Sequence, residues 1–341
     1  MKKIIKKISI ELEYEISQYN NYLKELLNSD VKLINTVLKY VMKIKGKQFR
    51  PLLCILSAKL EGEPNKKTYI SAASVEMLHV ATLLHDDVVD DSNIRRGWPT
   101  SSSIWKSKLS ILVGDYMFSR SLNSIMKLKN IECIEILAGV SDRLSKGEIL
   151  QIENSIKKNM SEETYFKMIS DKTASLISAS CKMGILSLTQ NERKNNLQRF
   201  GEYLGVAYQL KDDLFDVMGK IDKIGKPTNL DLKKNMLTLP YIYTINSLEK
   251  KKRKKIINRL RYYASRKEIK EIKKIIINSG GINYTENKIK DYSQMAIDEL
   301  KDYPDSKYKS LLIDIAIFKK RKFGNKLMWA GDSNGKKLIK F

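Results

Sequence analysis

The chain reads as an all-α protein. Apolar residues recur at three- and four-residue intervals over most of its length, period-two alternation is rare, and proline keeps to element boundaries. The six prolines are Pro51, Pro64, Pro99, Pro227, Pro240 and Pro304, and none interrupts residues 100–226, a span long enough for several long helices. Helical spacing is clearest over Val31 to Ile44, Ser74 to Val89, Ile111 to Leu128, Cys133 to Ile156, Glu163 to Leu188 and Leu197 to Met218. Asp30 and Ser161 are expected to cap helix starts, the latter with Glu162 and Glu163 favouring the first turn. No Gly/Pro/Ser-rich linker divides the chain. A helical domain is therefore expected over residues 1–323, followed by an irregular tail over 324–341, where periodicity fades among Gly324, Gly331 and Gly335.

Composition narrows the function classes. The 341 residues are 42% hydrophobic, enough for a sizeable core, and no run approaches the roughly 18 apolar residues of a membrane span. Cys54, Cys133 and Cys181 lie far apart in apolar surroundings and read as reduced core thiols, which fits a cytoplasmic protein. The net charge of +24 is concentrated between Lys250 and Lys274, where thirteen Lys/Arg face two Glu. Ile256, Ile257, Leu260, Ile269 and Ile272 interleave that run at helical spacing, so it reads as an amphipathic pair with a solvated basic face. At most it allows loose association with an anionic membrane surface. A nucleic-acid interface would need aromatics set along the basic stripe, and Tyr262-Tyr263 is the sole hint of one.

Two aspartate pentads carry the chemistry: Asp86-Asp87-Val88-Val89-Asp90 and Asp212-Asp213-Leu214-Phe215-Asp216. On a helix the first and last aspartates of each lie one turn apart on one face, with the second about 100° round. Carboxylates gathered in this way repel one another and call for a cation, and an all-oxygen donor set suits Mg²⁺. His79 stands seven residues before Asp86, and Gln209 stands seven before Asp216, so each shares a face with its pentad. Arg95-Arg96-Gly97 follows the first pentad, and Gly46-Lys47-Gln48-Phe49-Arg50-Pro51 lies upstream. Cations flanking a metal-binding acidic cluster imply a ligand with separate anionic groups, and diphosphates fit best. A single such pentad would more often be a solvated acidic face; the matched pair with basic satellites argues otherwise.

These motifs resemble the all-trans polyprenyl diphosphate synthases, which elongate isoprenoid chains head to tail. The likeness runs through Gly46-Lys47-x-x-Arg50-Pro51, Leu83-Leu84-His85-Asp86-Asp87-x-x-Asp90 and Arg95-Arg96-Gly97. It continues through Gly114-Asp115, Gly147-Glu148-x-x-Gln151, Lys172-Thr173-Ala174, Gln209-x-x-Asp212-Asp213-x-x-Asp216, Gly225-Lys226 and Thr238-Leu239-Pro240. The resemblance implies an orthogonal helical bundle of the isoprenoid synthase type around a deep apolar cavity, usually as a homodimer. It assigns Asp86, Asp87, Asp90, Asp212, Asp213 and Asp216 to Mg²⁺ bridging an allylic diphosphate. Arg95, Lys172, Thr173, Gln209 and Lys226 would hold that diphosphate, Lys172 counting with the aspartates as catalytic. Lys47, Arg50, His79 and Arg96 would hold isopentenyl diphosphate.

One departure stands out. Met236 occupies a place where the family often has lysine, with Lys233 and Lys234 as nearby substitutes. Product length in the family depends on the residues below the first pentad, where short-chain members carry a bulky aromatic. Here the pair is Ala81-Thr82, with Leu78 another turn down, so a long product is expected, of the hexaprenyl-to-octaprenyl kind that supplies quinone side chains. The alternatives are a medium-chain synthase (geranylgeranyl or farnesyl) and a non-catalytic partner subunit of a heteromeric synthase. Such partners usually lose one pentad, and terpene cyclases usually replace the second; this chain keeps both.

Overall fold

The computed structural model describes residues 2–44, 46, 48–157, 160–188, 194–218, 237–261, 266–317, 320–323 and 326–329. Helices dominate in chain order: α1 (Lys2–Glu11), α2 (Glu13–Leu27), α3 (Lys32–Lys43), α4 (Phe49–Lys59) and α5 (Lys66–Val89). A small hairpin, β1 (Ile94–Arg95) with β2 (Trp98–Pro99), precedes α6 (Ser101–Met126), α7 (Ile131–Lys157) and α8 (Glu162–Ile169). A π-helical turn, Ser170–Ala174, joins α8 to α9 (Ser175–Leu186), and α10 (Lys194–Met218) comes next. The described chain resumes with α11 (Leu239–Ser247), α12 (Lys250–Arg261), α13 (Arg266–Asn278), α14 (Gly281–Asp298) and α15 (Lys307–Ala316), then the strands β3 (Lys320–Phe323) and β4 (Lys326–Trp329).

The core explains this order. Helix α5 is buried on most sides, with Ala72, Ala73, Val75, Met77 and Leu78 at 1% exposure or less, as a central helix must be. It packs along α6 and against α4, α4 packs on α9, and α10 lies between α9 and α14. Its start is fixed by a reciprocal cap: Asn65 accepts from Lys67 N at 2.8 Å, and Thr68 Oγ1 accepts from Asn65 N at 3.2 Å. Thr100 caps α6, and Ser161 caps α8 as expected, accepting from Thr164 N at 3.0 Å. The three cysteines are buried and free. Burial raises the Cys54 and Cys181 thiols, the latter to about 12, which leaves them unreactive.

Two local expectations need correction. Asp30 caps nothing: Val31 occupies the N-cap of α3, and the bend before it is closed by Asn35, which donates to Ser29 O at 2.6 Å. The periodic run Glu163 to Leu188 is not one α-helix, because the π turn interrupts it. Helix α6 carries a kink at Lys106 (φ 69°), a left-handed position that no glycine announces. Strand β3 ends the expected helical domain and pairs antiparallel with β4 in the expected tail, where residues 324–325 and 330–341 lie outside the described residues. The basic segment forms α12 and α13, with Ile256, Ile272 and Ile276 buried and Lys250 to Lys254 exposed. No described helix is long and apolar enough to cross a membrane.

Candidate active site

The first pentad closes α5. Asp86 is half-buried, Asp87 is 4% exposed, and Asp90 is the exposed C-cap residue. Burial raises the Asp86 carboxyl to about 6 against the compensating pull of Lys172, with Glu148 pushing the same way as burial. Burial also raises Asp87, opposed by Arg95, whose Nε donates to Asp87 Oδ1 at 2.7 Å. Arg95 reaches back because the chain reverses at once: Arg96 and Gly97 both sit at positive φ (54° and 83°), the two-residue turn that suits a tight hairpin.

The second pentad ends the described part of α10. Asp212 is exposed, Asp216 half-buried and Asp213 buried. Asp213 is held by two neutral donors, Tyr165 Oη at 2.5 Å and Gln209 Nε2 at 2.7 Å. Gln209 in turn accepts from Thr173 Oγ1 at 2.9 Å. Lys172, the neighbour of Thr173, pairs with Glu148 and donates to Gln151 Oε1 at 3.0 Å. Both pentads thus converge on the π turn, one through Lys172 and the other through Thr173.

A cationic cluster adjoins the first pentad. His79 lies two turns above Asp86, and its imidazole is held well below its usual range by burial and by Arg50, Arg96 and Arg95. It is therefore neutral. Arg50 also has its pKa lowered by burial, Glu76 opposing and Arg96 reinforcing, and its buried Nε has no hydrogen-bond partner among the described residues. Arg96 donates to Ile44 O at 3.1 Å and lies across Gly46, where a Cβ would come within 2.5 Å of its Nη1. A small cleft opens here, lined by Gly46, His79, Leu83, Asp87, Arg95 and Arg96 among others. Lys47, Lys226 and Met236, with Lys233 and Lys234, lie outside the described residues.

Leu78, Ala81 and Thr82 fall on the side of α5 opposite this cleft, by the 100° step of the helix. Leu78 and Ala81 are each 1% exposed, and Thr82 donates to His79 O at 2.8 Å. His85 is a satisfied histidine on the α5–α6 seam: Nε2 stands 3.2 Å from Asp115 Oδ1, and its ring packs on Gly114. Sequence reasoning missed Tyr165 and Tyr208. The latter stacks on Phe49 at 5.8 Å, and Asp212 and then burial push its hydroxyl up to about 12. Neither tyrosine has a sequence signal beyond its neighbours, although Tyr208 immediately precedes Gln209.

No group of three His, Cys, Asp or Glu among the described residues forms a ready cation cage. The donor chemistry nevertheless fits a hard divalent ion: the available ligands are all carboxylate oxygens, and burial leaves Asp86 favouring a proton that a cation would replace. The all-helical bundle sets the pentad carboxylates beside the guanidinium groups of Arg50, Arg95 and Arg96. Residues 31–277 match the family model described as Polyprenyl synthetase. The octaprenyl diphosphate synthase of Escherichia coli K12 is 31% identical, over 92% of this chain and 97% of that protein. The crystal structure of a decaprenyl diphosphate synthase from Rhodobacter capsulatus superposes with a TM-score of 0.86 at 31% identity, covering 92% and 97% of the two chains. A Caulobacter crescentus polyprenyl synthase, solved with calcium and isoprenyl diphosphate, superposes with a TM-score of 0.84 at 31% identity, covering 92% and 96%. The chain belongs to the polyprenyl synthetase family, and its enzyme class is that of a trans-prenyltransferase.

Proposed function

We propose that this chain is a long-chain all-trans polyprenyl diphosphate synthase, adding isopentenyl diphosphate head to tail onto an allylic diphosphate with Mg²⁺ as its ion. The observation that carries the reading is the pairing of two opposite imbalances at one site: Asp86 raised by burial, and Arg50 half-buried beside Arg96 with a buried Nε that has no hydrogen-bond partner among the described residues. A metal-bound diphosphate answers the first, and a bare diphosphate answers the second.

On this reading Asp86, Asp87, Asp90, Asp212, Asp213 and Asp216 hold the divalent ion, which when bound neutralises charge on the departing diphosphate. Lys172, Thr173, Gln209, Arg95 and Lys226 orient the allylic diphosphate, their cations and hydrogen bonds stabilising the leaving group as its C–O bond ionises. Arg50, His79, Arg96 and Lys47 hold isopentenyl diphosphate so that its double bond meets the allylic carbon; neutral His79 donates one N–H without adding a fourth full charge. The new C–C bond forms, and the proton lost from the adduct passes to the released diphosphate. No protein nucleophile takes part. Exclusion of water protects the allylic cation from capture.

The small pair Ala81 and Thr82 supports a long product, and quinone side chains are its proposed use. Exposed Ile104, Ile111, Leu112 and Met126 on α6, with Ile131, Ile149 and Ile156 on α7, support a homodimer built on these helices. A cytoplasmic site of action is proposed with it. Incubation of the single purified chain with labelled isopentenyl diphosphate, an allylic primer and Mg²⁺ tests the reading. Elongated products of six or more isoprene units are expected; no incorporation without a second protein would favour the partner-subunit alternative. Ala81→Phe is expected to shorten the product while retaining turnover, and an unchanged chain length would refute the role given to Ala81.

A further inference from the structure

The π turn that carries Lys172 and Thr173 is gripped from behind by a charged network that the reaction does not use. Arg143 on α7 donates through Nε to Asp171 Oδ1 at 2.7 Å and through Nη2 to Ser170 Oγ at 2.7 Å. The same guanidinium forks onto Glu202 of α10, Nη2 to Oε1 at 2.7 Å and Nη1 to Oε2 at 3.2 Å, and Ser170 Oγ also donates to Glu202. Arg143 is therefore bonded to the two residues immediately before Lys172. The backbone is pinned at the same place. A Cβ at Gly147, one turn past Arg143, would stand 2.8 Å from Lys172 N, and one at Gly205 would stand 2.5 Å from Ala174 Cα.

We propose that Arg143, Asp171 and Glu202 are positioning residues that lock the π turn, so that Lys172 and Thr173 face the two pentads. The proposal rests on the function given above. A π turn is a rare departure from the α-helix, here seen in the Ser175 N–H bonding back to Ser170 O, and its extra residue rotates the downstream residues by about 100°. Such a turn competes with an ordinary α-helix of the same sequence, in which Lys172 and Thr173 would point elsewhere. The fork of Arg143 selects the π form because Ser170 and Asp171 meet the guanidinium together with Glu202. Two carboxylates share this one guanidinium, so weakening it leaves both repelling across the turn. The three residues touch neither substrate and act through Lys172 and Thr173.

The test compares full-length wild type, Arg143→Lys, Asp171→Asn, Lys172→Ala and the Asp171→Asn/Lys172→Ala double variant, with both substrates varied. Arg143→Lys and Asp171→Asn are expected to raise KM for the allylic diphosphate about tenfold while KM for isopentenyl diphosphate stays within about twofold. The double variant is expected to lose clearly less than the product of the two single penalties, since part of the clamp's effect passes through that lysine and only the part through Thr173 remains. Calorimetric titration with Mg²⁺ and inorganic diphosphate, which needs no turnover, is expected to rank the variants in the same order. A lowered Tm and active fraction with both KM values unchanged would mean a purely structural role and overturn the proposal; so would penalties that multiply in the double variant. Wild type that incorporates nothing would refute the synthase reading itself. An active, Lys172-dependent wild type with indifferent clamp variants would refute the clamp alone.

Discussion

The two aspartate pentads share a sequence pattern and differ in what holds them. On α5 the buried second aspartate, Asp87, is bound by a cation, Arg95, whereas on α10 its counterpart Asp213 is bound by neutral Tyr165 and Gln209. A charged partner can be drawn away by a more highly charged ligand, and a diphosphate arriving at Arg95 competes directly with Asp87. Neutral donors have no such rival. On the proposed function, substrate would rearrange the first wall, whereas the Tyr165 and Gln209 hydrogen bonds would hold Asp213 in place.

The largest effect expected from breaking this contrast is at Asp86, whose carboxyl burial raises to about 6. Asp86→Ala should lower kcat/KM by about 10³-fold or more in isopentenyl incorporation, because both metal attachment and leaving-group neutralisation suffer. Tyr165→Phe removes one hydroxyl from behind the preset wall. It should cost about 10- to 100-fold in Mg²⁺ affinity, read by titration, with little change in KM for isopentenyl diphosphate. A Tyr165→Phe protein with unaltered Mg²⁺ affinity would show that the second wall is not preset by that bond.

The smallest effect is on stability without metal. The Asp86 carboxyl rises from 3.8 unfolded to about 6 folded, so the folded chain holds its proton more tightly. Its contribution to stability is full below pH ~4 and is lost as pH rises through ~6. In EDTA, Asp86→Asn should therefore match wild type at low pH and exceed it near neutrality by about 1–2 kcal/mol, after allowance for solvent screening. Urea unfolding at both pH values checks this, and added Mg²⁺ should reverse the order in favour of wild type.

Much of the site was legible because helical periodicity turns spacing into geometry. Seven residues bring His79 onto the face of Asp86, and the pentads end long amphipathic runs. The same arithmetic cannot detect a change of period. Ser170–Ala174 reads as ordinary helix, since nothing in Ser-Asp-Lys-Thr-Ala distinguishes a π turn, and the stabilising partners Arg143 and Glu202 come from distant segments. Tyr165 escaped for the same reason: its bond to Asp213 joins α8 to α10, and its own neighbourhood reads as core. Asp30 shows a different failure. Residue type marked it as a cap, but the Ser29–Asn35 pair closes the turn and leaves the helix to begin one residue later than a cap at Asp30 requires.

Glycine within a helix ordinarily invites replacement by alanine, which restricts the unfolded chain and favours the helical backbone. At Gly147, Gly201 and Gly205 that recipe for hardening a protein against heat should backfire, because each added methyl would meet backbone atoms of the π turn or α9 at 2.8 Å or less. The hydrogen atoms at these three places set how far α7 and α10 can approach, and any variant library built for thermal tolerance should leave them untouched.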